Sequence, residues 1–131
     1  KNDKIKFYGE FEPKNLIKMI NPTNDILFLP THESRDLLRT GGLSSRCFYY
    51  LSYKLPIIVP YHKELLKIFT HKVNSLVYDH NKSNTINKSI NSLIRDKNLK
   101  KKIAVNAYND FKNKHLWVHR MKILIEKIEG L

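Results

Sequence analysis

Short continuous apolar runs, each closed by a turn residue, recur along the chain. Asp25-Ile26-Leu27-Phe28-Leu29 is stopped by Pro30, and Pro56-Ile57-Ile58-Val59 by Pro60. Runs of this length and density belong to strands buried on both faces. Ile5 and Phe7, ending at Gly9, predict a further short strand, and residues 75–78 predict a fourth. Between these runs the apolar positions take helical spacing. Pro13 opens a helix whose Leu16, Ile17 and Ile20 share one face, because proline is tolerated in a first helical turn. Asn21-Pro22-Thr23-Asn24 makes a turn. Ser44 or Ser45 caps a helix carrying Phe48, Leu51 and the tyrosines. Further helices are predicted at about residues 63–69, 85–95, 99–113 and 117–128. Four short strands alternating with helices predict an α/β fold: a Rossmann-like parallel sheet flanked by helices, with the C-terminal helices packing on it. Right-handed crossovers would put helices on both faces.

Composition narrows this. The 131 residues make one domain, 1–131, with 41% hydrophobic and 27% charged residues. Cys47 is the sole cysteine, which excludes an internal disulfide framework. No apolar run reaches the roughly 20 residues of a membrane span, and there is no signal-peptide pattern. The chain opens on Lys1 rather than methionine, so it is expected to be a piece of a longer protein. The formal net charge is +12. That favours anionic partners: nucleic acid, phosphates or an acidic membrane face. Lysines outnumber arginines 19 to 5, however, and Asn and Ile are abundant too, a bias that AT-rich codons alone produce. Readers of nucleic acid favour Arg. Nucleic acid is therefore disfavoured, and a basic nucleic-acid-binding module is kept as an alternative. Lys100-Lys101-Lys102 reads as a solvated helix face.

In open parallel sheets ligands sit beyond the carboxyl ends of the strands. The loops after Leu29, Val59 and Tyr78 therefore matter most, and residues 31–45 form the longest. Gly41-Gly42 followed by Ser44-Ser45 at a helix start suits a phosphate cradle, with backbone N–H groups and the helix dipole facing an anion. A plain flexible turn fits the same residues. His115 and His119 stand four apart, a spacing that would place both on one helix face, but no third metal ligand is evident and no metal is expected. Cys47 reads as a small buried hydrophobe. Phe48, Tyr49, Tyr50 and Tyr53 read as core plus one exposed tyrosine, with base stacking as the competing reading.

The ordered set of segments resembles the C-terminal domain of GT-B glycosyltransferases, group 1. Arg46-Cys47-Phe48-Tyr49-Tyr50-Leu51-Ser52-Tyr53-Lys54-Leu55-Pro56-Ile57-Ile58-Val59 is similar to that family's Arg-x-Phe-Glu-x-Leu-Ala-x-Gly-x-Pro-Val-Ile-Val. Asp-Ile-Leu-Phe-Leu-Pro-Thr-His-Glu, from Asp25 to Glu33, is similar to its Asp-hydrophobic-Pro-Ser-x-x-Glu. Asn74-Ser75-Leu76-Val77-Tyr78 resembles its Asn-Gly-Leu-hydrophobic segment. Residues 90–99 resemble its Ile-x-x-Leu-Leu-x-Asp-x-x-Leu, and His115-Leu116-Trp117-Val118-His119-Arg120 its closing His-x-aromatic-x-x-Arg. The match runs from about Ile5 to Arg120.

The resemblance implies the donor-binding half of a two-domain enzyme. A nucleotide-sugar donor would bind here and an N-terminal partner domain would bring the acceptor. The domain's first strand and helix are missing, so no glycosyl transfer is expected from this piece alone. Cytoplasmic residence is implied, with peripheral contact at the inner membrane face allowed, and no cofactor. Glu33 matches the carboxylate near the sugar, although a plain loop glutamate is the competing reading. Gly41, Gly42 and the N–H groups of Leu43 and Ser44 fall where the donor diphosphate rests. Arg46 would complete the charge pairing, or else pair with a surface carboxylate. The ribose-binding glutamate falls on Tyr49, which cannot grip a diol as a carboxylate does. The glycine before the strand is replaced by Lys54. These departures imply an unusual donor or a catalytically degenerate assembly domain. His115 and Arg120 would anchor the C-terminal helix, with Trp117 as a packing residue.

Overall fold

The structure is a computed structural model that describes residues 5–10, 12–30 and 43–131. Three strands, β1 (Leu27–Phe28), β2 (Ile57–Pro60) and β3 (Leu76–Tyr78), form a parallel sheet in the order β1-β2-β3 among the described residues. Leu27 stands opposite Ile57, and Ile58 opposite Leu76. Backbone pairing continues past the strand ends: the N–H of Leu29 donates to Ile58 (2.9 Å) and that of Tyr61 to Tyr78 (2.6 Å). The helices are α1 (Pro13–Met19), α2 (Ser45–Ser52), α3 (Thr85–Arg95), α4 (Lys97–Asp110) and α5 (Trp117–Glu129).

Side-chain alternation along the strands builds a core on each face of the sheet. Ile57 and Val59 pack on one face with Cys47 and Leu51 of α2, Leu65, Phe69 and Ala107. Ile58, Leu76 and Tyr78 pack on the other with Leu93 of α3 and Ile103 of α4. β2 is the central strand and is buried throughout, which is why its run carries no polar alternation. Helices thus flank both faces, as the pattern predicts.

Helix α4 touches both cores because it passes beneath the amino-terminal ends of all three strands. Lys100 Nζ donates to the carbonyl of Thr23, ahead of β1 (2.7 Å). The Lys54 ammonium, ahead of β2, lies over the Tyr108 ring (5.7 Å to the centroid). Ahead of β3, Asn106 Nδ2 donates to the Val73 carbonyl (2.9 Å) and Asn74 Nδ2 to Asp110 Oδ2 (2.8 Å). Asn74 is buried, and it also donates to Ile68 O (2.9 Å) and accepts from Thr70 N–H (2.7 Å). Lys100 is therefore a tie between α4 and the turn before β1, which corrects its reading as part of a solvated run.

Several expectations change. Residues 5–9 pair with no described strand and Phe7 is 94% exposed, so no fourth strand forms there. An apolar pair without a ladder neighbour has nothing to hold it extended. β1 is an edge strand, shorter than its apolar run and only half-buried, with the exposed Phe28 ring stacked on Tyr78 (5.5 Å). The helix expected at 63–69 is a single 3-10 turn, Leu65–Lys67. The helix expected at 99–113 starts at Lys97 and gives way to a π-helical turn, Phe111–His115. α3 and α4 pack on the sheet, but from Met121 onward every residue of α5 is exposed.

Candidate functional site

The sheet's carboxyl edge carries the candidate site. Ser44 caps α2, its Oγ accepting the N–H of Arg46 (3.3 Å). Leu43 packs into the core beneath it. The chain leaves Ser52 and enters β2 within a few residues, so α2 runs antiparallel to the strands. Its N-terminus consequently lies toward their carboxyl ends. The first N–H groups of a helix there face outward with a partial positive charge. Arg46 is exposed in the first turn, and among the described residues no carboxylate pairs with it. Tyr49, three residues on, shares that helix side and is 52% exposed. Glu33, Gly41 and Gly42 lie outside the described residues.

Buried groups beside the site hold it in place. Cys47 is buried beneath α2, and burial pushes its thiol up to about 11, which keeps it protonated and inert. Tyr50 packs against the core with its hydroxyl donating to Phe28 O (3.4 Å). Lys54 occupies the left-handed region at φ +55°, just past the end of α2. It lies at the amino edge of the sheet, a full helix length from Ser44. Its place where the resemblance has a glycine is therefore a matter of backbone conformation, remote from the carboxyl edge.

A groove of about 360 Å³ runs along the outer side of α2, lined by Ser45, Phe48, Tyr49, His115, Trp117 and Arg120, among others. The Arg120 guanidinium stacks over Phe48 (4.3 Å) and lies 5.7 Å from the Trp117 centroid. His115 packs on the same Phe48 (5.5 Å), and burial holds its imidazole below the ordinary histidine value. His115 and Arg120 thus anchor the start of α5 to α2 through one ring. Trp117 does not pack in a core: it is 76% exposed at the groove mouth. His115 and His119 do not share a helix face either. His115 lies in the π-helical turn, the backbone extends at Leu116, and His119 Nδ1 accepts the Leu116 N–H (3.2 Å) at the start of α5.

The carboxyl ends of β2 and β3 add residues that sequence reasoning missed. His62 is buried and its Nδ1 accepts the Glu64 N–H (3.2 Å). Glu64 is buried as well, and its hydrogen bond from Lys67 holds the carboxyl below the usual range. Asp79 accepts from the Asn81 N–H (3.0 Å), which lowers it likewise, and pairs with Lys82. The only signal for His62, Glu64 and Asp79 was position: they follow the closing residues of two buried strands.

A three-stranded parallel sheet with helices on both faces, and a capped helix start carrying an exposed arginine at its carboxyl edge, define a Rossmann-like α/β domain among the described residues. A family model described as glycosyl transferase-like matches residues 1–126, and the chain belongs to that family. No curated protein and no solved structure matches it.

Proposed function

We propose that this chain is the donor-binding part of a GT-B glycosyltransferase that holds a nucleoside diphosphate sugar at the start of α2. The observation that carries this reading is the Ser44-capped helix start with Arg46 in its first turn, at the carboxyl edge of a parallel sheet. The N–H groups of Leu43 and Ser44, with Gly41 and Gly42, receive the diphosphate, and Arg46 supplies the counter-charge. As the bond from the sugar's anomeric carbon to the diphosphate oxygen breaks, negative charge grows on the leaving group. Fixed N–H dipoles and a cation stabilise that charge without a metal. Glu33 is assigned to the sugar by the motif resemblance alone. Tyr49 offers the ribose one hydrogen bond in place of a carboxylate's two acceptors. The acceptor hydroxyl comes from a partner domain.

The test is a titration of the 131-residue chain with uridine, guanosine and adenosine diphosphates, followed by NMR. Shifts confined to residues 41–46, with Arg46→Ala weakening affinity about tenfold, are expected. If none of the three moves those resonances, the reading fails.

A further inference from the structure

A second groove, of about 720 Å³, opens at the amino edge of the sheet, between the turn before β1 and the start of α4. Its volume is that of a small-molecule site. The buried Pro56 and Leu93 give it an apolar wall, and Lys54, Lys97, Lys100 and Lys101 line it as well. No acidic residue lines it, and no described carboxylate pairs with any of the four ammoniums. The carboxylates nearest in sequence face backbone donors. Asp96 Oδ1 accepts the Leu99 N–H (2.9 Å), and Asp25 Oδ2 accepts the Asn21 N–H (2.7 Å).

This arrangement carries electrostatic costs that an anion relieves. Lys97, Lys100 and Lys101 stand at i, i+3 and i+4 on one face of α4, where like charges repel. They also sit at the start of the helix, the end its dipole makes positive, with no acidic residue in the first turn. Two of the four side chains are held in place: Lys100 Nζ on the Thr23 carbonyl and the Lys54 ammonium over Tyr108. Lys54 does this at φ +55°, and strain of that kind persists where the side chain is needed. The groove is one concavity rather than a track along the surface, which suits a compact anion better than a strand of nucleic acid. Under the proposed reading the acceptor domain meets the carboxyl edge, so it does not cover this one. An apolar segment packed here would bury four unpaired ammoniums, a costly arrangement.

We infer that this lysine groove binds a compact anion bearing two or more phosphate groups, at the edge of the sheet opposite the start of α2. The site does not depend on donor binding, since Lys54 lies a full helix length from Ser44. The test titrates the 131-residue chain with sodium tripolyphosphate at about 0.15 M salt, where diffuse attraction between distant surface charges is screened, and follows amide NMR. Saturable shifts at residues 22–24, 54 and 97–101 are expected. Lys97→Ala with Lys101→Ala should weaken affinity about tenfold or more. Lys88→Ala with Lys102→Ala removes the same charge from exposed positions outside the groove and should change affinity less than about twofold. All four positions are exposed, and the amide spectrum of each variant reports that its fold is intact. No saturable shift overturns the inference, and so do shifts centred on residues 43–46. Equal losses in the two double variants overturn it as well, because net charge alone then draws the anion. So does a single-stranded oligonucleotide that binds the same residues more tightly at equal phosphate concentration, because the groove then takes nucleic acid.

Discussion

Lys54 occupies the position one past the helix cap where chains most often place glycine, and it does so at φ +55°. An L-residue there costs roughly 1–2 kcal/mol, and glycine gives back about 0.5–1 kcal/mol of that through its freer unfolded chain. Lys54→Gly is therefore expected to stabilise the fold by about 0.5–1 kcal/mol, read as a higher urea midpoint at unchanged slope. A lower midpoint would mean that the ammonium's stacking on Tyr108 outweighs the backbone cost. Asn74 presents the opposite case. Its amide satisfies Ile68, Thr70 and Asp110 at once in a buried site, so Asn74→Ala strands a donor and two acceptors. A loss of about 2–3 kcal/mol in chemical denaturation is expected. Sequence reading placed Asn74 in a strand-entry motif, but a hub spanning 36 positions to Asp110 leaves no local periodicity to detect.

Among the elements, α2 and α3 were legible because their signals are local. Ser44 caps one, and the other keeps its expected bounds, 85–95. β2 and β3 were legible as dense apolar runs. The 63–69 helix shortened to a 3-10 turn, and the Asn74 amide, by taking the Ile68 carbonyl and the Thr70 N–H, stops the chain from coiling on past Phe69. The true start of α4 was missed for a reason visible in hindsight: Asp96 Oδ1 accepts the Leu99 N–H (2.9 Å) and opens the helix two residues early. Asp96→Ala is expected to cost about 1 kcal/mol, with Asp96→Asn losing well under half of that, since both Asp and Asn serve as N-caps. Equal losses in thermal denaturation would show that charge beside Lys97 and Lys100 matters more than the cap. Of the candidate site, the helix start and Arg46 were readable from motif order. The Phe48–Arg120 stack was readable only as a spacing, since nothing in the sequence says which ring the arginine meets.

The molecule as a whole carries two separate acid sensitivities. Burial lowers the imidazoles of His71 and His115, and His71 Nδ1 accepts the Val77 N–H (3.0 Å), a bond that needs an unprotonated nitrogen. A histidine depressed in the folded state contributes stability above its unfolded value of about 6.5 and loses it as pH falls through and below that value, because the unfolded chain takes up the proton first. Glu64, Asp79 and Asp110 are all lowered; at Asp110, burial pushes upward but is outweighed by hydrogen bonds from Lys114 and Asn74. Their contribution holds down to about pH 4 and is lost below it. Melting temperature should therefore decline in two stages, one between about pH 7 and 5 and one below pH 4. His71→Asn, which keeps an acceptor near the Nδ1 position, should flatten the first stage and leave the second. An unaltered first stage would assign it to His115 alone.

The path of α4 beneath all three strands also has a consequence in time. The strand entries at Thr23, Lys54 and Asn74 are tied by residues no earlier than Lys100 and as late as Asp110. A ribosome adding about 5–20 residues per second takes roughly 2–6 s to add the 32 residues that follow β3 through Asp110. Early in that interval the nascent sheet has its three described strands and none of these ties, and its Ile58, Leu76 and Tyr78 face still waits for Leu93 and Ile103. Synthesis rate and chaperone access during those seconds, rather than the strength of any one contact, would then set how much of the newly made chain reaches this fold.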